Sequence, residues 1–400
     1  CRRDAVYLNP MHEAEVFVAD YLTELSDTEY QYDFNLQELL ATLEENSAVV
    51  YAPRQRQAIE WAARYGLVIL TGGPGTGKTT TVRGMLDFYD AVGLDVVLAA
   101  PTGRAAKRLS ELCDREAKTI HRLLESGYRN GEGKAVFARN QMNPLECDVV
   151  ILDEVSMIDI VLMQALLEAM PPETRLILVG DAGQLPPVGP GNFLRDCISS
   201  ERIHTVELDE IFRQAQESAI VRNAHAINRG EMPVSGGRDG DFFIMRKHSA
   251  EDVMQTVVDL CRKRLPDYYG FSPEQIQVLT PSRRQAAGTQ QLNRMLQDAL
   301  NPPDACKPEK RYGDTIFRLG DRVMQVRNNY DIVWEKEHDP EEEGTGMFNG
   351  DVGKIVGISL RDENLCVQFD DKLAHYTFDM LGELELAYAM TVPKSQGSEF

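Results

Sequence analysis

The sequence has no apolar run long enough to cross a bilayer: its longest, such as LVIL at 67–70 and VVIL at 149–152, fall far short of the roughly 18 residues a spanning helix requires. The amino terminus, CRRDAVYLNPMHEAE, lacks the apolar core and small-residue site of a secretory signal. It also lacks an initiating Met, as expected of the tail of a longer region or a processed fragment. Seven cysteines stand singly, with no CxxC pair, a pattern that fits neither a zinc site nor a disulfide framework. A reducing, cytoplasmic compartment and no membrane partner are expected. Basic residues are outnumbered, 42 Lys and Arg against 63 Asp and Glu for a formal charge of −21. This balance argues against non-specific adhesion of the whole surface to nucleic acid or anionic lipid. A polyanionic partner must be met by a local basic groove.

What is there suffices for more than one core. A chain of 400 residues with 43% hydrophobic content is expected to form two or three domains. Residues 11 to 46 show apolar positions at three- and four-residue spacing, which predicts a small acidic helical segment within 1–50. From Gln55 to about Leu208, short apolar runs alternate with amphipathic stretches: LVIL, VVLAA, VVILDE and RLILVGD each precede or follow a helical pattern. Strands separated by helices predict crossover units and a parallel sheet covered on both faces, a first domain over 51–208. A weaker second pattern runs from FFIM through AEDVMQTVVDLCRKRL to IQVLTP and AAGTQQLNRMLQDAL, predicting a second sheet domain over 209–400. Within it, DRVMQV, DVGKIVGISL, LCVQF and the Asn349-Gly350 turn signal predict a small antiparallel barrel inserted at about 312–382. DPEEEGTG at 339–346 reads as a solvated acidic loop.

TGGPGTGKTT fits G-x-x-x-x-G-K-[ST] from Gly72 to Thr79, with a strand before it and a helix opening on it. In that context the backbone N–H groups of Gly73, Gly75, Thr76 and Gly77 and the helix N-terminus, with Pro74 shaping the loop and Thr80 in the helix's first turn, form a cradle for phosphates. Lys78 neutralises the β/γ oxygens and the Thr79 hydroxyl holds Mg²⁺. ATP and Mg²⁺ are the expected cofactors. Phosphate cleavage also needs a metal-holding acid and a group that positions water, both at the carboxyl ends of neighbouring strands. CDVVILDE supplies Asp153 for the metal and Glu154 as general base. PRQRQAI brings Gln55 in front of the P-loop strand, where an amide can read both edges of adenine. LILVGDAGQLPPVGPG presents Gln184 as a γ-phosphate sensor, and ELDEIFRQ and VLTPSRR add Arg213 and Arg283.

Taken in order, TGGPGTGKTT, LAAPTGRAAKRL, AKTIHRLL, ILDEVSM, VGDAGQLPPVGPG, FRQ, VLTPSRR and AYAMTVPKSQGSEF resemble the motifs of superfamily 1 DNA helicases of the RecD-like branch, from about Gln55 to the end of the chain. The resemblance implies an α/β fold of two RecA-like P-loop NTPase domains with ATP in the cleft between them. It implies ATP-driven 5′-to-3′ translocation along single-stranded DNA, duplex forks as substrates, and service in repair or recombination, alone or within a nuclease complex. Lys78, Asp153, Glu154, Gln184 and Arg213 are implied as catalytic, and Gln55 as the adenine reader. An ATP-binding switch or scaffold subunit without unwinding, and an RNA helicase, are the alternative readings.

Groups from two sheets meeting one γ-phosphate would make hydrolysis change how tightly the domains are held, which is a step. For DNA, Pro101, Thr102, Gly103 and Arg104 open a helix whose N-terminus suits a backbone phosphate, with Lys107 and Arg108 nearby. Thr119 and His121 are DNA candidates by resemblance. In the last motif Thr391, Lys394 and Ser395 are assigned to DNA and Gln396, Gly397 and Glu399 to the nucleotide. Pro393 stands where the family commonly has His, which predicts a weaker DNA contact there. The family carries a further arginine motif beyond this point, so the second domain reads as truncated. Phe193, Tyr330, Trp334 and Phe348 are candidates for base stacking, though core positions suit most of them. Arg322 and Arg327 are candidates for a strand clamp on the barrel. YRNGEGKAVFARN at 128–140, within an insertion near 125–147, is expected to form a hairpin that splits the fork.

Overall fold

The apolar runs of the first part of the chain are strands buried on both faces, because successive side chains of a strand point in opposite directions. The computed structural model describes residues 6–128, 135–210, 217–237 and 240–398. Two compact units are present, Cys1–Pro101 with Ala105–Ile244, and Thr102–Arg104 with Met245–Phe400. The first contains β1 (Leu67–Gly72), β2 (Val96–Ala100), β3 (Ala117–Thr119), a small antiparallel pair β4 (Ser126–Tyr128) and β5 (Ala135–Phe137), then β6 (Val149–Leu152), β7 (Arg175–Gly180) and β8 (His204–Leu208). Six of these make one sheet in the order β3-β2-β6-β7-β1-β8, parallel at every pairing. Leu67, Ile69, Val150, Leu152, Leu176 and Leu178 lie in one apolar layer, and their neighbours Val68, Leu70, Val149, Ile151, Ile177 and Val179 in the other.

The helices α1 (Asn9–Ser26), α2 (Leu36–Ser47), α3 (Pro53–Arg64), α4 (Lys78–Ala91), α5 (Gly103–Cys113), α6 (Ile120–Leu123), α7 (Ile160–Ala169), α8 (Phe193–Ser199) and α9 (Ala219–Asn228) complete this unit. Apolar residues of α1 recur at Ala14, Val18, Leu22 and Leu25, and all four are buried in the layer that α7 covers. Leu36 and Leu40 of α2 join the opposite layer with Ile59 of α3 and Phe88 of α4. The amino-terminal helices thus pack one on each face of the sheet, because neither could bury its stripe alone.

The second unit holds α10 (Ala250–Asp259), α11 (Leu265–Tyr269), β9 (Val278–Thr280) and α12 (Thr289–Leu300). FFIM, expected as a strand, has no strand pairing; Phe243, Ile244 and Met245 are exposed, so the run has no partner surface to drive it into a ladder. Then follow the hairpin β10 (Glu309–Tyr312) and β11 (Thr315–Arg318), and β12 (Arg322–Gln325), β13 (Asn329–Lys336), β14 (Asp339–Met347), β15 (Val352–Ser359), β16 (Asn364–Phe369), β17 (Lys372–Thr377) and β18 (Leu384–Leu386). The last seven form one antiparallel sheet, β14-β13-β17-β16-β15-β12-β18, around a single apolar cluster that includes Phe317, Val323, Val367 and Tyr376. β19 (Ala389–Thr391) returns to pair in parallel with β9.

The acidic segment read as a loop is a strand. Residues 339–347 pair with β13 at the edge of the sheet; Gly344 lies so close to the Trp334 ring that a Cβ there would overlap it. Charge on an edge strand is one way sheets avoid pairing with further chains, and Lys336 Nζ meets Glu342 at 2.6 Å.

Candidate nucleotide site and nucleic-acid contacts

The parallel sheet directs the carboxyl ends of β1, β6 and β7 to one edge, and their order puts β7 between the other two. From β1 the chain turns into α4 through the Gly-rich loop. Gly75 and Gly77 have φ of 75° and 82°, left-handed values that cost a residue with a Cβ about 1 kcal/mol or more. Lys78 Nζ donates to the carbonyls of Gly72 at 2.7 Å and Gly73 at 3.1 Å. Thr76 Oγ1 donates to Gly73 at 2.9 Å. The lysine is thus held over the loop by two neutral acceptors, bonds that a phosphate's charged oxygens would exceed in strength.

β6 delivers Asp153 and Glu154 beside Lys78. Burial raises the carboxyl pKa of both above the ordinary range; for Asp153 the Glu154 N–H and the Lys78 charge pull the other way, whereas for Glu154 the neighbouring Asp153 adds to the rise. The Glu154 N–H donates to Asp153 Oδ1 at 2.9 Å. Glu154 itself is left-handed, φ 54° and ψ 40°, a conformation that strains a non-glycine residue and turns the chain sharply at the strand end. Val155, wholly buried, fixes that turn.

From β7 come Asp181 and Gln184. Asp181 Oδ1 accepts from Gly183 N at 2.8 Å, and Ser156 Oγ donates to Gln184 Oε1 at 3.3 Å, which ties this loop to the one after β6. Hard oxygen donors from Thr79 and Asp153 at the mouth of a glycine cradle suit Mg²⁺ with nucleotide phosphates. Among the described residues no cluster of three or more His, Cys, Asp or Glu could cage a metal.

Gln55 is 2% exposed and both ends of its amide are engaged: Oε1 accepts from Ala52 N at 3.0 Å, and Nε2 donates to Gly77 O at 3.3 Å. It joins the start of α3 to the P-loop, and in this state neither group faces outward to read a base. Arg213 and Glu399, and residues 130–133 at the tip of the expected fork hairpin, lie outside the described residues.

The nucleic-acid candidates fare unevenly. Pro101 and Thr102 form the turn after β2, and Gly103 and Arg104 open α5. Thr119 caps α6, its hydroxyl accepting from Arg122 N at 3.2 Å. His121 leans on Phe137 with ring centroids 6.0 Å apart, and burial lowers its pKa. In the second unit, Glu385 of β18 accepts from Arg283 through one oxygen and lies 3.8 Å from Lys394 Nζ through the other. Burial lowers the Lys394 pKa and Glu385 partly restores it. Thr391 ends β19 opposite Thr280, and Ser395 Oγ donates to Val392 O at 2.7 Å. Pro393 stands in the first turn of the 3₁₀ segment Val392–Ser395, where no backbone donor is required. Gln396 and Gly397 follow, with Gly397 at φ 70°.

Two further groups of candidates have partners of their own or lie in the core. Arg322, proposed for a clamp, donates to the carbonyls of Glu274 at 3.3 Å and Ile276 at 3.2 Å, fastening the antiparallel sheet to its own unit; Arg327 is exposed. Phe193 is core at 4% exposure, Trp334 carries Lys372 over its ring at 4.1 Å, and Tyr330 meets Phe348 edge-on. Sequence reading also passed over α9, which brings His225 and Asn228 against the loops that follow β1 and β7. No motif signalled it, since one His and one Asn on a helix are ordinary.

Among the described residues no helix is long and apolar enough to cross a membrane. The family model of an AAA domain matches residues 50–241, and that of an ATP-dependent RecD-like DNA helicase SH3 domain matches residues 292–369. The ATP-dependent RecD2 DNA helicase of Deinococcus radiodurans is 36% identical over 86% of this chain and 44% of its own length. The RecBCD enzyme subunit RecD of Mycolicibacterium smegmatis is 31% identical over 86% of this chain and 64% of its own. The chain therefore spans about half to two thirds of these relatives. A crystal structure of Pif1 helicase from Candida albicans aligns with 87% of this chain and 86% of that one at a TM-score of 0.49 and 18% identity. A P-loop at the edge of a RecA-like parallel sheet, an antiparallel sheet in the second unit and both family matches agree: the chain is similar to the RecD-like DNA helicases.

Proposed function

We propose that this chain is the ATP-driven motor of a DNA helicase that moves 5′ to 3′ along single-stranded DNA in repair or recombination. The observation that carries the reading is the meeting of Lys78, Asp153, Glu154 and Gln184 at one sheet edge, with Lys78 Nζ already folded over the loop at 2.7 Å from Gly72 O. In this reading Lys78 holds the phosphates, Glu154 takes the proton of the attacking water, and Gln184 orients that water or the γ-phosphate. Thr79 and Asp153 would hold Mg²⁺, which supplies charge neutralisation to the phosphates when bound. Arg213, Gln396, Gly397 and Glu399 are proposed to complete the nucleotide site, and Pro101 to Arg104, Arg283, Thr391, Lys394 and Ser395 to contact the DNA backbone. Thr119 and His121 are proposed to support that surface from within. The compartment is proposed to be cytoplasmic. The M. smegmatis relative is named as a RecBCD subunit, which favours action within a larger nuclease or recombination complex.

The test is strand separation on duplexes carrying a 5′ or a 3′ single-stranded tail, with ATP hydrolysis followed in parallel. The expected result is unwinding of the 5′-tailed DNA only, with Lys78→Ala lowering ATP turnover by about a hundredfold or more. DNA-stimulated hydrolysis without unwinding would establish a switch subunit instead, and preference for an RNA duplex would establish an RNA helicase.

A further inference from the structure

We propose that His225, with Asn228 beside it, is a positioning residue for the P-loop, holding its phosphate-binding amides in place from outside the motifs that build the pocket. Four observations carry this. His225 Nε2 lies 3.3 Å from the Pro74 carbonyl oxygen; a carbonyl only accepts, so Nε2 carries the hydrogen. The same ring fills the space a side chain at Gly73 would need, since a Cβ there would stand 2.5 Å from His225 Cε1. One turn along α9, Asn228 does the same at the other phosphate-facing loop, where a Cβ on Gly183 would overlap its amide. Finally, α9 is fastened at its far end: Asp241 accepts from Ser218 Oγ and from the N–H groups of Ala219 and Ile220. Asn223 exchanges two 2.8 Å bonds with the Val234 backbone.

The consequence follows from peptide geometry. None of the described peptide bonds is cis, and in a trans peptide the C=O and N–H point in opposite directions. Holding the Pro74 carbonyl therefore fixes the direction of the Gly75 N–H, a cradle donor. Lys78 and Thr76 hold the carbonyls of Gly72 and Gly73, and His225 supplies the donor for the next carbonyl in the series. Glycine at 73 and 75 makes the loop adaptable, and an external donor restores the order that those glycines forgo.

The proposal rests on the reading of this loop as a nucleotide site. It is tested by titrating fluorescent ADP and a non-hydrolysable ATP analogue, both with Mg²⁺, into the whole chain as wild type, His225→Ala and His225→Gln, with thermal unfolding and steady-state hydrolysis alongside. The expected result is a dissociation constant raised about three- to tenfold for both nucleotides in His225→Ala, the size of one lost hydrogen bond. The loss should show in KM more than in kcat, and His225→Gln, which can present an N–H at the same reach, should recover most of it. Unchanged nucleotide affinity in His225→Ala would overturn the proposal, as would equal losses in the two variants, which would mean that ring packing rather than the donor matters. A wild-type chain that binds neither nucleotide would instead overturn the pocket reading on which this rests.

Discussion

Glu385 sets the charge state of the surface proposed for DNA. Its two oxygens face two cations, Arg283 and Lys394, in the relation that a backbone phosphate would have to both. Together with Thr289, Gln290 and Arg294 the Arg283–Glu385 pair lines a polar cavity of about 340 Å³. Arg283 is 56% exposed and Glu385 33%, so the pair itself contributes little stability. Its larger effect is on any anion that must displace the carboxylate. Glu385→Gln should therefore tighten single-stranded DNA binding by a few fold at low salt and steepen its salt dependence by up to about 0.7 in log–log slope. Fluorescence anisotropy across a salt series reads both. Weaker binding in the variant would mean that Glu385 positions the two cations and does not compete for them.

At the scale of elements, a buried carboxylate joins the antiparallel sheet to the helices of its unit, alongside Arg322 and Asn293. Asp321, fully buried at the start of β12, accepts from Gln297 Nε2 at 2.6 Å, Asn301 Nδ2 at 2.7 Å, Arg318 N at 2.6 Å and Tyr388 OH at 2.9 Å. Two of these partners are on α12 or directly after it, and Tyr388 leads into β19. Burial raises the Asp321 pKa while the four donors pull it down, so the network, more than the charge, is what the fold uses. Asp321→Ala would remove an acceptor from all four donors, of which Gln297 Nε2 and Asn301 Nδ2 keep a second one in the Ile316 and Leu319 carbonyls. The expected cost is about 3–5 kcal/mol, measured as a lowered urea midpoint. A loss under about 1 kcal/mol would show that water takes the place of the carboxylate.

For the whole molecule, the formal charge of −21 confines any DNA contact to a few basic positions. If Arg104, Arg283 and Lys394 each neutralise one phosphate, the logarithm of the single-stranded DNA binding constant should fall against the logarithm of salt with a slope of about −2. A charge-removing substitution at any of them should reduce the slope by about 0.7. A far steeper slope would place the contact surface elsewhere. Such a protein should also show little adhesion to blunt duplex, because its surface as a whole repels it.

The sequence by itself determined the glycine-rich loop and strand-end acids of the proposed nucleotide pocket, and the parallel sheet around them. Gly72 to Thr79 and Asp153-Glu154 are local signals: the glycines, the lysine and the strand-end acids act within a few residues of one another, and burial of VVIL and LVIL on both faces follows from their unbroken apolar runs. The strand order that sets β7 between the P-loop strand and the acid-bearing strand needed the tertiary structure, because crossover pairing is not written in any short segment. So did the engagement of Gln55 with Gly77, the capping role of Thr119, the strand made by an acidic run and the carboxylate opposite Arg283. Each depends on residues far apart in the chain, and a side chain's partner, not its type, decides whether it binds a ligand or holds the fold. His225 is the sharpest case. Its type and spacing carry no signal, and only the packing of α9 across Gly73 and Gly183 gives it a loop to hold.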